Sequence, residues 1–136
     1  MKRIFLIDDD EDDQLMFKEV IESINPAFHC ETALNGKIAI DKLIISSPIP
    51  DIIFLDLNMP VMSGYDFLVH IKKEKALNNI PVCIFSTSNS PRDKELTKEF
   101  GAKCFLTKPN DFQELSKSLQ QILSTDFSTE KYLSIT

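Results

Sequence analysis

Residues 51–60 read Asp-Ile-Ile-Phe-Leu-Asp-Leu-Asn-Met-Pro, and this stretch decides the fold. Ile52, Ile53, Phe54 and Leu55 are four consecutive large apolar side chains, with none of the alternation of a strand that has one wet face. Such a run fits a strand buried on both sides, as in a parallel sheet with helices packed above and below. It ends on a carboxylate, Asp56, followed by a loop containing Asn58, Met59 and Pro60.

Working outward, residues 4–7, 82–85 and 104–106 repeat the pattern, while the mixed segment 28–33 belongs at an edge. Helical spacing fills the gaps. Phe17, Val20, Ile21 and Ile24 form one stripe, closed by Asn25-Pro26 because the residue before proline avoids helical geometry. A second helix follows Asn35-Gly36 with Ala39, Ile40, Leu43 and Ile44, and a third carries Phe67, Leu68 and Ile71. The fourth is bounded by a capping Ser90, Pro91 in its first turn and Gly101 after its end, with Leu96 and Phe100 as its apolar stripe. The fifth buries Phe112, Leu115, Leu119, Ile122 and Leu123. Five strands alternating with five helices predict an α/β fold: a five-stranded parallel sheet, doubly wound, with helices on both faces. One domain covers residues 1–124, and residues 125–136 are expected to be a short polar tail with no output domain.

The chain has 136 residues, 15 Lys and Arg against 21 Asp and Glu, and a net charge of −6. Six consecutive acids, residues 8–13, equal that excess, since the remaining 21 − 6 = 15 acids balance the 15 bases. With no cluster of Lys and Arg, direct contact with nucleic acid or an anionic membrane is not expected. The first apolar run is too short for a secretion signal. Cys30, Cys83 and Cys104 lie in strand-like segments and are expected to be reduced thiols of a cytoplasmic protein. No Cys/His cluster suits zinc.

In a sheet of this kind ligands bind beyond the carboxyl ends of the strands. Those ends carry Asp8 and Asp9, Asp56, Ser86 and Thr87, and Thr107 and Lys108. Three carboxylates in one place oppose each other's ionisation unless a cation joins them, and oxygen donors imply a hard ion such as Mg2+. An ionised Asp can attack phosphorus if metal and ammonium neutralise the charge on the transferring oxygens, so the set suits reversible phosphorylation of Asp56. Two plainer readings compete for the acid run. Acids at a helix start are favoured by its dipole, which is accepted for Asp10, Glu11, Asp12 and Asp13 but not for Asp8 and Asp9. A calcium loop would use Asp8, Asp10, Asp12 and Glu19, but Asp13 stands where that loop needs glycine, and a strand precedes it.

Taken in order, Ile7-Asp8-Asp9, the run 52–60 with Gly64, residues 81–86, Gly101-Ala102 and Phe105-Leu106-Thr107-Lys108-Pro109 resemble the receiver domain of two-component response regulators. The resemblance covers residues 2–123 and implies a flavodoxin-like fold with strand order 2-1-3-4-5. It implies that Asp56 accepts a phosphoryl group from a phosphohistidine on a sensor kinase or phosphotransfer protein. Asp9 would bind Mg2+ directly, Asp8 through a water and Asn58 through its carbonyl, while Lys108 would hold a phosphoryl oxygen. Ser86 (followed by Thr87) and Phe105 stand at the switch positions, although the aromatic is often Tyr. Met59, Pro60, Gly64 and Pro109 would shape loops, the glycine by adopting a backbone geometry barred to other residues.

The resemblance thus predicts a stand-alone, cytoplasmic phospho-acceptor in a phosphorelay that would catalyse chemistry only on itself. It would signal to a downstream protein through the face of helix 4, strand 5 and helix 5. A haloacid dehalogenase-like phosphatase is the enzyme alternative, but it needs an acid where Asn58 stands. A phosphate-independent docking module is the third reading.

Overall fold

The computed structural model describes residues 2–129 and 131–135. Its elements are β1 (Arg3–Ile7), α1 (Glu11–Ile24), β2 (His29–Ala33), α2 (Gly36–Ile44), β3 (Ile52–Leu55), α3 (Gly64–Lys73), β4 (Val82–Ser86), α4 (Pro91–Glu99), β5 (Cys104–Thr107), α5 (Phe112–Leu123) and β6 (Leu133–Ile135). The sheet is parallel in the order β2-β1-β3-β4-β5-β6. The expected five-strand order is therefore present, with mixed β2 at an edge. The four runs of continuous apolar sequence all lie inside the sheet, buried from both sides.

Two core layers flank it. Ala39, Ile40 and Leu43 of α2 and Phe67, Leu68 and Ile71 of α3 pack with Phe5, Ile53, Ile84 and Phe105 on one face. Phe17, Val20 and Ile21 of α1 and Leu115, Leu119 and Ile122 of α5 pack with Leu6, Phe54, Phe85 and Leu106 on the other. Phe17 sits edge-to-face against both Phe54 and Phe85, with ring centroids 5.1 and 5.5 Å away. Helix starts follow their caps. Asp10, Asn35, Ser63, Ser90 and Asp111 each accept backbone N–H groups of the first turn they precede.

Two expectations are corrected. Leu96 is only half-buried and Phe100 is exposed, and the buried side chain of α4 is Thr97. Its hydroxyl donates back to the carbonyls of Asp93 and Lys94, at 2.8 and 3.2 Å, so the group enters the interior with its polar atom satisfied. Secondly, the tail is not a mere polar appendage. Phe127 is buried with the α1/α5 layer, Tyr132 packs on the opposite layer, and β6 extends the sheet as a sixth strand beside β5. Scattered apolar residues at 127, 132, 133 and 135 suffice because an open β5 edge offers unpaired backbone groups. None of the described helices is long and apolar enough to cross a membrane.

Register positions the site. Ile7 pairs with both Ala33 and Leu55, Leu55 with Ile84, and Ser86 with Thr107. Asp8, Asp56 and Lys108, each one residue past its strand, thus leave the sheet at one level. Backbone bonds from Asp8 N to Ala33 O (3.0 Å), Asp56 N to Ile7 O (2.9 Å) and Lys108 N to Ser86 O (2.7 Å) fix them there.

Candidate functional site

Asp8, Asp9 and Asp56 each offer a carboxylate oxygen within 4.8 Å of the others. Asp8 is fully buried, Asp56 is 6% exposed, and Asp9 faces solvent. Asp8 Oδ1 accepts the Asp10 N–H at 2.9 Å, and Gln14 Nε2 donates to the Asp8 carbonyl at 2.7 Å, so this first turn is braced around the strand end. The Asn58 N–H reaches Asp56 Oδ1 only at 3.4 Å, a long bond that leaves the Asp56 carboxylate largely free.

Lys108 enters from β5 with its ammonium 5.2 Å from the Phe85 ring centroid. Its Nζ lies 2.9 Å from Asp8 Oδ2 and 3.5 Å from Asp56 Oδ2. The Asp8 contact is an ion pair without hydrogen-bond alignment, so that buried oxygen has a charge partner but no directed bond. A third carboxylate, Asp13, accepts from Nζ at 2.8 Å. From the sequence, Asp13 belongs only to the helix start. One signal could have found it: Asp13 precedes Phe17 by one turn, and since Phe17 faces the core, Asp13 must face the mouth of the site.

The electrostatics follow. Burial, reinforced by Asp8 and Asp9, pushes Asp56 up to about 6, with Lys108 and the Asn58 N–H pulling the other way. Burial likewise raises Asp8. For Lys108, burial alone would lower the ammonium, but Asp13, Asp8 and Asp56 outweigh it and raise it. The ion pair by itself would move Asp8 down. Burial dominates instead, because one ammonium is divided among three carboxylates. A hard divalent cation would supply the charge this site lacks, and the all-oxygen donor set of Asp8, Asp9 and Asp56 suits such an ion, so the residues fit it.

The neighbouring loops carry the remaining expected residues. Ser86 is fully buried and its Oγ accepts the Ser88 N–H at 3.1 Å, whereas Thr87 is exposed. Phe105 is fully buried. Ser88 Oγ donates to Asp93 Oδ2 at 2.6 Å, and the Tyr65 hydroxyl donates to Asp93 Oδ1. Asp93 thereby ties the first turns of α3 and α4 to the loop holding Ser86, a link with no marker in the sequence. Ser88 and then Tyr65 hold its carboxyl below the usual range.

In the loop after Asp56, Met59 is half-buried and Pro60 exposed, its carbonyl accepting the Met62 N–H at 2.8 Å. Pro109, half-buried, follows Lys108. Gly64 acts differently from expectation. The left-handed residue of the loop is Val61, at φ 71°, an uncommon conformation for a β-branched side chain. Gly64 is required for close approach: a Cβ there would meet the Asp56 carbonyl and lie 2.7 Å from Leu57 Cα. Gly64→Ala should therefore cost about 1–3 kcal/mol by pushing the acceptor loop. Urea melts check this, and a wild-type midpoint would contradict it.

Residues 4–120 match the family described as the response regulator receiver domain. The chain belongs to that family. Response regulator Rcp1 of Synechocystis is 31% identical over 90% of this chain and 87% of its own length. Protein PilH of Pseudomonas aeruginosa is 27% identical over 91% and 99%. Among solved structures, the Mn2+-bound form of Rcp1 has a TM-score of 0.80 at 31% identity, covering 91% of this chain and 93% of that one. The phosphorylated cyanobacterial phytochrome response regulator RcpA has a TM-score of 0.83 at 29% identity, covering 92% and 96%. This receiver domain is thus a two-component signalling domain, and the haloacid dehalogenase-like alternative falls away.

Proposed function

We propose that this receiver domain accepts a phosphoryl group on Asp56 from a phosphohistidine of a sensor kinase or phosphotransfer protein, with Mg2+ bound, and so changes its binding to a downstream protein. The observation carrying the reading is the convergence of Asp8, Asp9 and Asp56 within 4.8 Å, with the Lys108 ammonium beside them. Asp8, Asp9, Asp56 and the Asn58 carbonyl would hold the metal. When bound, the ion neutralises charge on the transferring phosphoryl oxygens. An Asp56 carboxylate oxygen attacks phosphorus, the P–N bond breaks, and the imidazole leaves as the O–P bond forms.

Lys108 pairs with a phosphoryl oxygen and stabilises the charge building there. The Ser86 hydroxyl exchanges the Ser88 N–H for the new phosphate, and the loop and Phe105 follow as a population shift. Because position 105 is Phe, read-out on the α4-β5-α5 face rests on ring packing rather than a hydroxyl. The domain works in the cytoplasm, makes no direct nucleic-acid contact and acts on no substrate but itself. Support for the metal includes the Mn2+-bound form of Rcp1, and support for the phosphoryl acceptor includes phosphorylated RcpA.

The metal half is tested by Mg2+ titration of the thermal midpoint. A saturable rise is expected for the native sequence and a much weaker one for Asp9→Asn; equal rises would contradict the assignment.

A further inference from the structure

The ammonium of Lys108 is closest not to the acceptor but to Asp13. Nζ lies 2.8 Å from Asp13 Oδ2 in a directed bond, 2.9 Å from Asp8 Oδ2 and 3.5 Å from Asp56 Oδ2. Asp13 is itself well placed: it sits in the first turn of α1, where its N–H is held by the cap Asp10 at 3.2 Å, and Phe17 anchors the same face one turn on. It stands outside the three carboxylates that could share a metal.

We infer that Asp13 is a positioning residue that holds the Lys108 ammonium closer to itself than to Asp56 in the resting domain and competes with the incoming phosphoryl group for it. The inference rests on the acceptor reading of Asp56. In the transferring state Lys108 must turn to a phosphoryl oxygen, and that interaction lowers the barrier only to the extent that it exceeds what the ammonium already had. A charge-assisted bond to Asp13 that must be surrendered raises the barrier, so Asp13 slows phosphorylation. Tuning of the rate thus comes from helix α1 and leaves the metal set intact.

The test uses the full chain with Mg2+ and a small phosphoryl donor such as acetyl phosphate, reading the initial rate of phosphorylation by intact mass. Asp13→Asn is expected to speed it about five- to tenfold, within the range of measured side-chain couplings. Asp12→Asn removes the same charge from an exposed neighbour with no side-chain contact to Lys108, and is expected to change the rate less than twofold, the modest effect of a screened surface charge. Asp13→Glu keeps the carboxylate and should stay near wild type, which covers the case of a poorly folded amide variant. In a Lys108→Ala background, Asp13→Asn should have no further effect. Equal acceleration by Asp12→Asn, an effect that survives without Lys108, or an unchanged or slower Asp13→Asn would each overturn the inference while leaving the acceptor reading standing. A wild-type chain that takes no phosphoryl group would overturn both.

Discussion

In metal-free buffer at pH 7, Asp56→Asn should melt higher than the wild-type domain. Asp56 is 6% exposed and burial pushes its carboxyl up to about 6 from an ordinary 3.8. The folded state therefore holds the proton more tightly than the unfolded chain. Below pH 3.8 both states are protonated and nothing is lost. Between about 4 and 6 the unfolded chain ionises freely while the folded one resists, so stability falls as pH rises and stays reduced above 6. A displacement of this size corresponds to about 3 kcal/mol. An amide removes the penalty, raising the midpoint by roughly 5–10 °C. The gap should close toward pH 4, and also when Mg2+ stabilises the wild type. Thermal melts from pH 4 to 8 with chelator check this. A less stable variant, or a gap independent of pH, would contradict the electrostatic account.

Lys108→Ala should do the opposite. It leaves Asp8, Asp13 and Asp56 without the one ammonium that all three approach within 3.5 Å. Uncompensated buried charge costs about 3 kcal/mol or more. The raised ammonium keeps its stabilising charge throughout the neutral range, so the deficit should be full at pH 7. It should shrink below about pH 6 as Asp56 takes up a proton, and Mg2+ should recover much of it. The same variant should accept phosphate slowly and fail to transmit it, with Ser86 and Phe105 NMR signals unmoved by phosphorylation. Wild-type stability with chelator, or an unchanged phosphorylation response, would count against the role assigned to Lys108.

Much of this is legible in the sequence. The run Ile52, Ile53, Phe54 and Leu55 reads as a strand with both faces covered, and the paired acids after Ile7 then fall at the same sheet end as Asp56. The tail was not legible, because Phe127, Tyr132, Leu133 and Ile135 form no periodic pattern and acquire meaning only beside the open edge of β5. Asp13 was hidden inside a run of acids that the helix dipole explains adequately. In the Tyr65–Asp93–Ser88 link the Ser88 bond is local to the start of α4, but Tyr65 lies 28 positions from Asp93, a juxtaposition that only the approach of α3 to α4 creates. Gly64 was recognised as necessary but for the wrong reason, since steric approach to Asp56 and an unusual φ leave the same letter in a sequence.

The central claim is most directly tested by intact mass after treatment with acetyl phosphate and Mg2+, comparing the wild type with Asp56→Asn. One added phosphoryl group on the wild type, lost with chelator and absent from the variant, is the expected result. No addition to the wild type, or equal addition to both, would contradict Asp56 as the acceptor.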